Sequence, residues 1–161
     1  MITLKEIVEA IDEQCDEEHD GLYDRQMQNI VFLDSMSCVD YESEDIEDLP
    51  DWQQEEAKLH KLIQEDDEKS WSDENYQRRF VKLPRKFDVH EYRLMELFSA
   101  EQDGNVAVEL SRAIRGKGAF RYFRDTIKRL GLSNKWYEYR QEHLLELAEE
   151  FCEANGIEFK E

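Results

Sequence analysis

The chain has 161 residues, of which 40% are apolar and 38% charged, and its formal net charge is -19 at pH 7. That length and apolar share suit one domain with an adequate core and a very polar surface, and an anionic chain disfavours general binding to nucleic acid or membrane surfaces unless a basic region is presented on one side. No apolar run is long enough to span a bilayer, and MITLKEIVEA lacks the basic start and apolar block of a signal peptide, so a cytoplasmic protein with no membrane partner is expected.

Thr3 and Glu6 form a capping box, after which Leu4, Ile7, Val8 and Ile11 fall on one face, predicting a helix to about Gln14. Two short runs of strand formers, Leu22 to Asp24 and Asn29 to Leu33, predict a hairpin. Residues 35–48 are acidic and aperiodic and read as a mobile loop. Pro50 suits a first helical turn, and Trp52, Leu59, Leu62 and Ile63 recur at helical spacing to about Gln64. The polar EDDEKSWSDEN reads as loop, and RRFVKLP as a short third strand beside the hairpin, stopped by Pro84.

The remainder is helical. Asp88 with Glu91 makes a second box and Phe87 with Tyr92 a hydrophobic staple, predicting a helix from Asp88 with Tyr92, Met95 and Phe98 on its core face. A break over Asp103–Asn105 precedes a helix carrying Val106, Leu110, Ala113 and Ile114, which ends at Gly116. Another runs from near Gly118 to Gly131. A long last helix, capped by Ser133 or Asn134, carries Trp136, Tyr139, His143, Leu147 and Phe151 in one stripe and closes at Asn155 and Gly156 with Ile157 as the C-terminal contact. The expectation is an α+β fold, mainly helical, in a single domain over residues 1–161: an N-terminal helix and small antiparallel sheet, then a four-helix C-terminal part.

Charge divides the chain. Residues 1–76 hold 25 acids and 5 bases, whereas residues 77–161 hold 15 acids and 16 bases. The acidic half 1–76 has two readings, a solvated surface or a mimic of nucleic acid that occupies a basic partner. The basic residues concentrate in RAIRGKGAFRYFRDTIKR, residues 112–129, which contains Asp125 as its single acid. On a helix from Ala119 to Leu130, Phe120, Phe123, Ile127 and Leu130 make the apolar face, and Arg121, Arg124 and Lys128 line the opposite one. Arg112 and Arg115 end the preceding helix, and Gly116-Lys117-Gly118 brings the amides of a new helix start near the cations. Arg112, Arg115, Lys117, Arg121, Arg124 and Lys128 are therefore the candidate surface for an anionic group, either a nucleic-acid phosphate or an acidic protein. The competing reading is intramolecular: the cations stabilise helix ends or face the protein's own acids.

Nothing in the chain matches a phosphate loop, a calcium loop or a nucleophile elbow around Ser111, and His19, His60, His90 and His143 are scattered without metal-ligand spacing. Cys15, Cys38 and Cys152 are odd in number and widely spaced, so reduced thiols are expected, with Cys15 and Cys152 in the core. No catalytic residue, metal or cofactor is assigned. Trp136, Tyr137 and Tyr139 follow the basic helix, where stacked bases could use them, although most of the three are expected in the core.

KLPRKFDVHEYRLMELF, RAIRGKGAFRYFRDTIKRLG and WYEYRQEHLLELAEEFCEANGIE together resemble the C-terminal signature of a bacterial family of small uncharacterised proteins with a Gly-x-Gly-Ala-Phe-x-x-Phe core. Here that core is Gly116, Gly118, Ala119, Phe120 and Phe123, and the resemblance covers about residues 80–157. It implies a bacterial cytoplasmic α+β protein with a helical C-terminal part, and no activity or functional residues.

Overall fold

A computed structural model describes residues 1–16, 19–34 and 46–160. The fold is α+β and mainly helical, with a small antiparallel sheet near the N-terminus and a helical C-terminal part. The chain forms two compact units, one from residues 1–83 with 151–161, the other from residues 84–150. Among the described residues no helix is long and apolar enough to cross a membrane.

The first unit opens with β1 (Ile2–Thr3), which pairs in parallel with β5 (Phe159–Lys160), and with α1 (Leu4–Asp16). The Thr3–Glu6 box forms: the Glu6 amide donates to Thr3 Oγ1 at 3.2 Å, and the Thr3 amide and hydroxyl each donate to Glu6 Oε2 at 2.7 Å. These bonds to Thr3, backbone first, hold the Glu6 carboxyl below its ordinary range. Leu4, Ile7, Val8, Ala10 and Ile11 are buried, as an amphipathic helix requires.

The hairpin is β2 (His19–Asp24) and β3 (Asn29–Asp34), and β4 (Phe80–Lys82) adds to the other side of β2, so the sheet order is β3-β2-β4, antiparallel throughout. Tyr23 faces Ile30 on one neighbour and Val81 on the other. The turn lacks a glycine because Asp24 organises it: Asp24 Oδ1 accepts from the Gln26 and Met27 amides at 2.8 and 3.2 Å, and Gln28 takes the left-handed conformation, φ 54°. Gly21 sits where a side chain would collide. A Cβ there would lie 2.8 Å from Leu83 Cδ1 and 3.0 Å from Gln14 Oε1, the atom to which the Gly21 amide donates.

Of the segment expected as a mobile loop, residues 35–45 lie outside the described residues, and Ile46–Asp48 form a 3-10 turn. Helix α2 spans Asp51–Ser72, eight residues beyond the expected end at Gln64. The polar segment read as loop is helical because tertiary hydrogen bonds use it. Asp66, buried in that segment, accepts from the Arg79 amide at 2.8 Å, the Phe80 amide at 3.1 Å and the Tyr76 hydroxyl at 2.8 Å, so the helix end secures β4.

In the second unit, α3 (Lys86–Val89) and α4 (Glu91–Ala100) replace the single helix expected from Asp88. His90 between them is left-handed, φ 50°, which interrupts the ladder. The predicted staple does not form, since Phe87 is 82% exposed; Asp88 instead accepts from the Arg85 amide at 2.8 Å, starting the chain into helix two residues earlier. α5 (Gly104–Ala113), α6 (Ala119–Arg129) and α7 (Ser133–Asn155) follow, α7 belonging to this unit as far as Glu150 and to the first from Phe151. Met95, Phe98, Leu110, Ile114, Ala119, Phe123 and Ile127 form the core, with Trp136 and Tyr139 packed against it. Phe98 meets Phe123, Trp136 and Tyr139 edge-on at centroid separations of 6.3, 5.2 and 5.3 Å.

Farther along α7 the buried positions are Leu144, Ala148, Phe151 and Cys152, one residue beyond the predicted His143 and Leu147, which are half-buried. A helical side chain covers the turn before its own Cα, so neighbouring registers of one stripe compete closely. The predicted C-terminal contact forms: the Ile157 amide donates to the Cys152 carbonyl at 2.9 Å, the Gly156 amide to the Glu153 carbonyl at 3.2 Å, and Ile157 is buried. Burial pushes the Cys152 thiol up to about 11, so it remains protonated and unreactive at neutral pH. The side chain of Cys15 and all of Cys38 lie outside the described residues.

Candidate functional site

Helix α6 is pinned by Ala119, Phe123 and Ile127, all buried at offsets of four. That register determines what faces outward. Arg121, Arg124 and Lys128 are exposed, as are Arg112 at the end of α5 and, because that helix stops at Ala113 and not at Gly116, Arg115 and Lys117 in the connection. Among the described residues, none of the six has an ion-pair partner within the helical unit. Three other arginines of the unit do: Arg129 pairs with Glu109, Arg93 with Glu96 at 3.3 Å, and Arg140 with Glu91 at 2.9 Å. The six candidate cations thus differ from these three arginines in making no ion pair within the unit.

The connection depends on Gly118, at φ 81°. A Cβ there would be strained and would lie 3.0 Å from the Tyr122 ring, so the glycine lets that ring close over the helix start. Arg121 stands above the same ring, its guanidinium carbon 5.1 Å from the centroid.

Phe120 corrects the expected apolar face, because it is 50% exposed. Its place in the core is taken by Ala119, one position earlier. Phe120 meets Tyr92 edge-on at 6.5 Å, and the Tyr92 hydroxyl donates to the Ile114 carbonyl at 3.1 Å, fixing α4 against the C-terminal end of α5. Phe87, Tyr92, His90 and Phe120 line an open cleft of about 650 Å³ whose walls are largely apolar, completed by Lys86, Glu91 and Arg93. Sequence reasoning missed this cleft. Of Trp136, Tyr137 and Tyr139, most of which the sequence pattern puts in the core, Trp136 and Tyr139 pack against it and Tyr137 is well exposed.

A second cleft, of about 360 Å³, is lined by Asp88, His90, His143, Glu146, Leu147 and Glu150. It gathers histidines and carboxylates, yet its walls carry no nucleophilic hydroxyl, thiol or amine. Among the described residues no three His, Cys, Asp or Glu side chains converge as metal ligands would.

Charge follows the two units. Residues 84–150 hold twelve acids and twelve bases, and seven of those bases lie in residues 112–129 beside one acid. The remaining 28 acids and 9 bases, a net of -19, belong to the other unit. The helical unit is therefore neutral in sum and strongly polarised along its sequence.

No family model, curated protein or solved structure matches this chain. Geometry and charge are therefore what define the site.

Proposed function

We propose that the protein is a non-catalytic binding protein of the cytoplasm whose helical unit takes an anionic macromolecule on the surface of Arg112, Arg115, Lys117, Arg121, Arg124 and Lys128. The supporting observation is the lack of any ion pair for these six exposed cations within their unit, where three other arginines are paired. Unpaired surface cations attract polyanions through Coulomb forces that salt screens.

Retention on immobilised heparin and on immobilised polyglutamate tests this. The wild type should bind both at low salt, and Arg121→Glu with Arg124→Glu should elute at markedly lower salt with unchanged circular dichroism. Equal retention of the wild type and the double variant would exclude this surface. A second reading rests on the other unit, which carries the entire net charge: it acts as an acidic mimic of nucleic acid and occupies a basic partner. That reading predicts displacement of duplex DNA from a basic DNA-binding protein by the wild type and by the Arg121/Arg124 variant alike.

A further inference from the structure

We infer that the anion bound at this surface is single-stranded nucleic acid, its bases stacking on Phe87, Tyr92 and Phe120 and its phosphates meeting Lys86, Arg115 and Arg121. The inference rests on the anion-binding reading and deepens it, because a polyanion that only pairs with cations has no use for the aromatic cleft to which Phe120 of the same helix contributes. Phe87, Tyr92 and Phe120 are 82%, 42% and 50% exposed and stand in one cleft with largely apolar walls. Large aromatic rings left together in solvent mark a contact surface. Their neighbours select its chemistry. Lys86 lines the cleft, Arg121 follows Phe120 directly in the chain, and Arg115 follows Ile114, whose carbonyl anchors Tyr92.

A cationic ligand held in an aromatic cage is disfavoured there, since the single carboxylate of the lining, Glu91, is committed to Arg140 at 2.9 Å. What fits is a ligand with flat apolar faces and negative charge at short intervals. Nucleic acid has both, and it exposes its base faces only when unpaired, because in a duplex each face is covered by the next base.

The experiment is a fluorescence-anisotropy titration of the full chain with a labelled mixed-sequence oligonucleotide of about twelve nucleotides, as RNA, as single-stranded DNA and as duplex DNA, at about 50 mM NaCl. Both single strands should bind more tightly than the duplex, and their ratio tells whether the 2′-hydroxyl is read. Phe87→Ala and Phe120→Ala should each weaken single-strand binding about tenfold while leaving polyglutamate retention unchanged. Phe87 is so exposed that its removal leaves the fold intact, which keeps that variant interpretable. Arg115→Gln with Arg121→Gln should lower the salt slope by about 1.4, or about 0.7 for each phosphate that is no longer neutralised.

Duplex binding as tight as single-strand binding, or wild-type affinity in Phe87→Ala, would overturn the inference while leaving the anion-binding reading intact. Displacement of the oligonucleotide by an acidic, Phe-bearing peptide at lower concentration than by unlabelled RNA would overturn it in favour of a protein partner. Failure to bind oligonucleotide, heparin and polyglutamate would overturn both.

Discussion

Asp24 shows how one side chain does several structural jobs in the first unit. It is 3% exposed, ends the central strand, accepts the Gln26 and Met27 amides of the hairpin turn, and binds Arg79 in a two-point contact, Nε to Oδ1 at 2.9 Å and Nη2 to Oδ2 at 2.7 Å. Burial pulls its carboxyl upward, but the Arg79 bonds and the two amides outweigh that effect and hold it below the ordinary range. A carboxylate with a lowered folded-state pKa contributes stability that is complete above its unfolded value of about 3.9 and is lost as pH falls through the folded value. Asp24→Asn should therefore cost about 2 kcal/mol at neutral pH, and the gap to the wild type should narrow at about pH 3. Urea midpoints of both proteins at the two pH values decide it, a constant gap being the contrary result.

At the scale of elements, α2 and α6 make a useful pair. α6 was legible in the sequence: Phe123 and Ile127 at an offset of four, cations on the opposite side and glycines at both ends define it without knowledge of its neighbours. The last turns of α2 were not legible, because EDDEKSWS has no apolar period, and its helicity depends on what Asp66 binds from residues 76–80. Asp66→Ala leaves the Arg79 and Phe80 amides without their acceptor and should destabilise the first unit by about 2 to 4 kcal/mol. Hydrogen exchange should then quicken at Phe80 and through residues 65–72; protection equal to the wild type at Phe80 would mean that β4 is held by other interactions.

For the molecule as a whole, charge is the governing quantity. The unit of residues 1–83 and 151–161 carries the full -19, so self-repulsion opposes its compact state, and salt should relieve it. Raising NaCl from about 0.1 to 1 M shortens the screening length from about 10 to 3 Å, and the melting temperature of the full chain should rise by several degrees. The same change should release any polyanion held by the helical unit. A melting temperature that is flat or falls with salt would show that repulsion among these acids is unimportant to stability.

The α+β class, the three-stranded sheet, helices α5 to α7 and the outward face of the cations on α6 were legible in the sequence. All of these follow from local periodicity, capping and turn chemistry within a few residues of chain. Long-range packing set the extension of α2 to Ser72, the division at His90 of the helix expected from Asp88, and the exposure of Phe87 and Phe120. The reason is physical. An aromatic residue at helical spacing is equally consistent with a core contact and an exposed ring, and the choice depends on which neighbouring helix reaches it. On α6 the small Ala119 fits the core position, and its larger neighbour Phe120 lies outside, beside Tyr92 in the cleft.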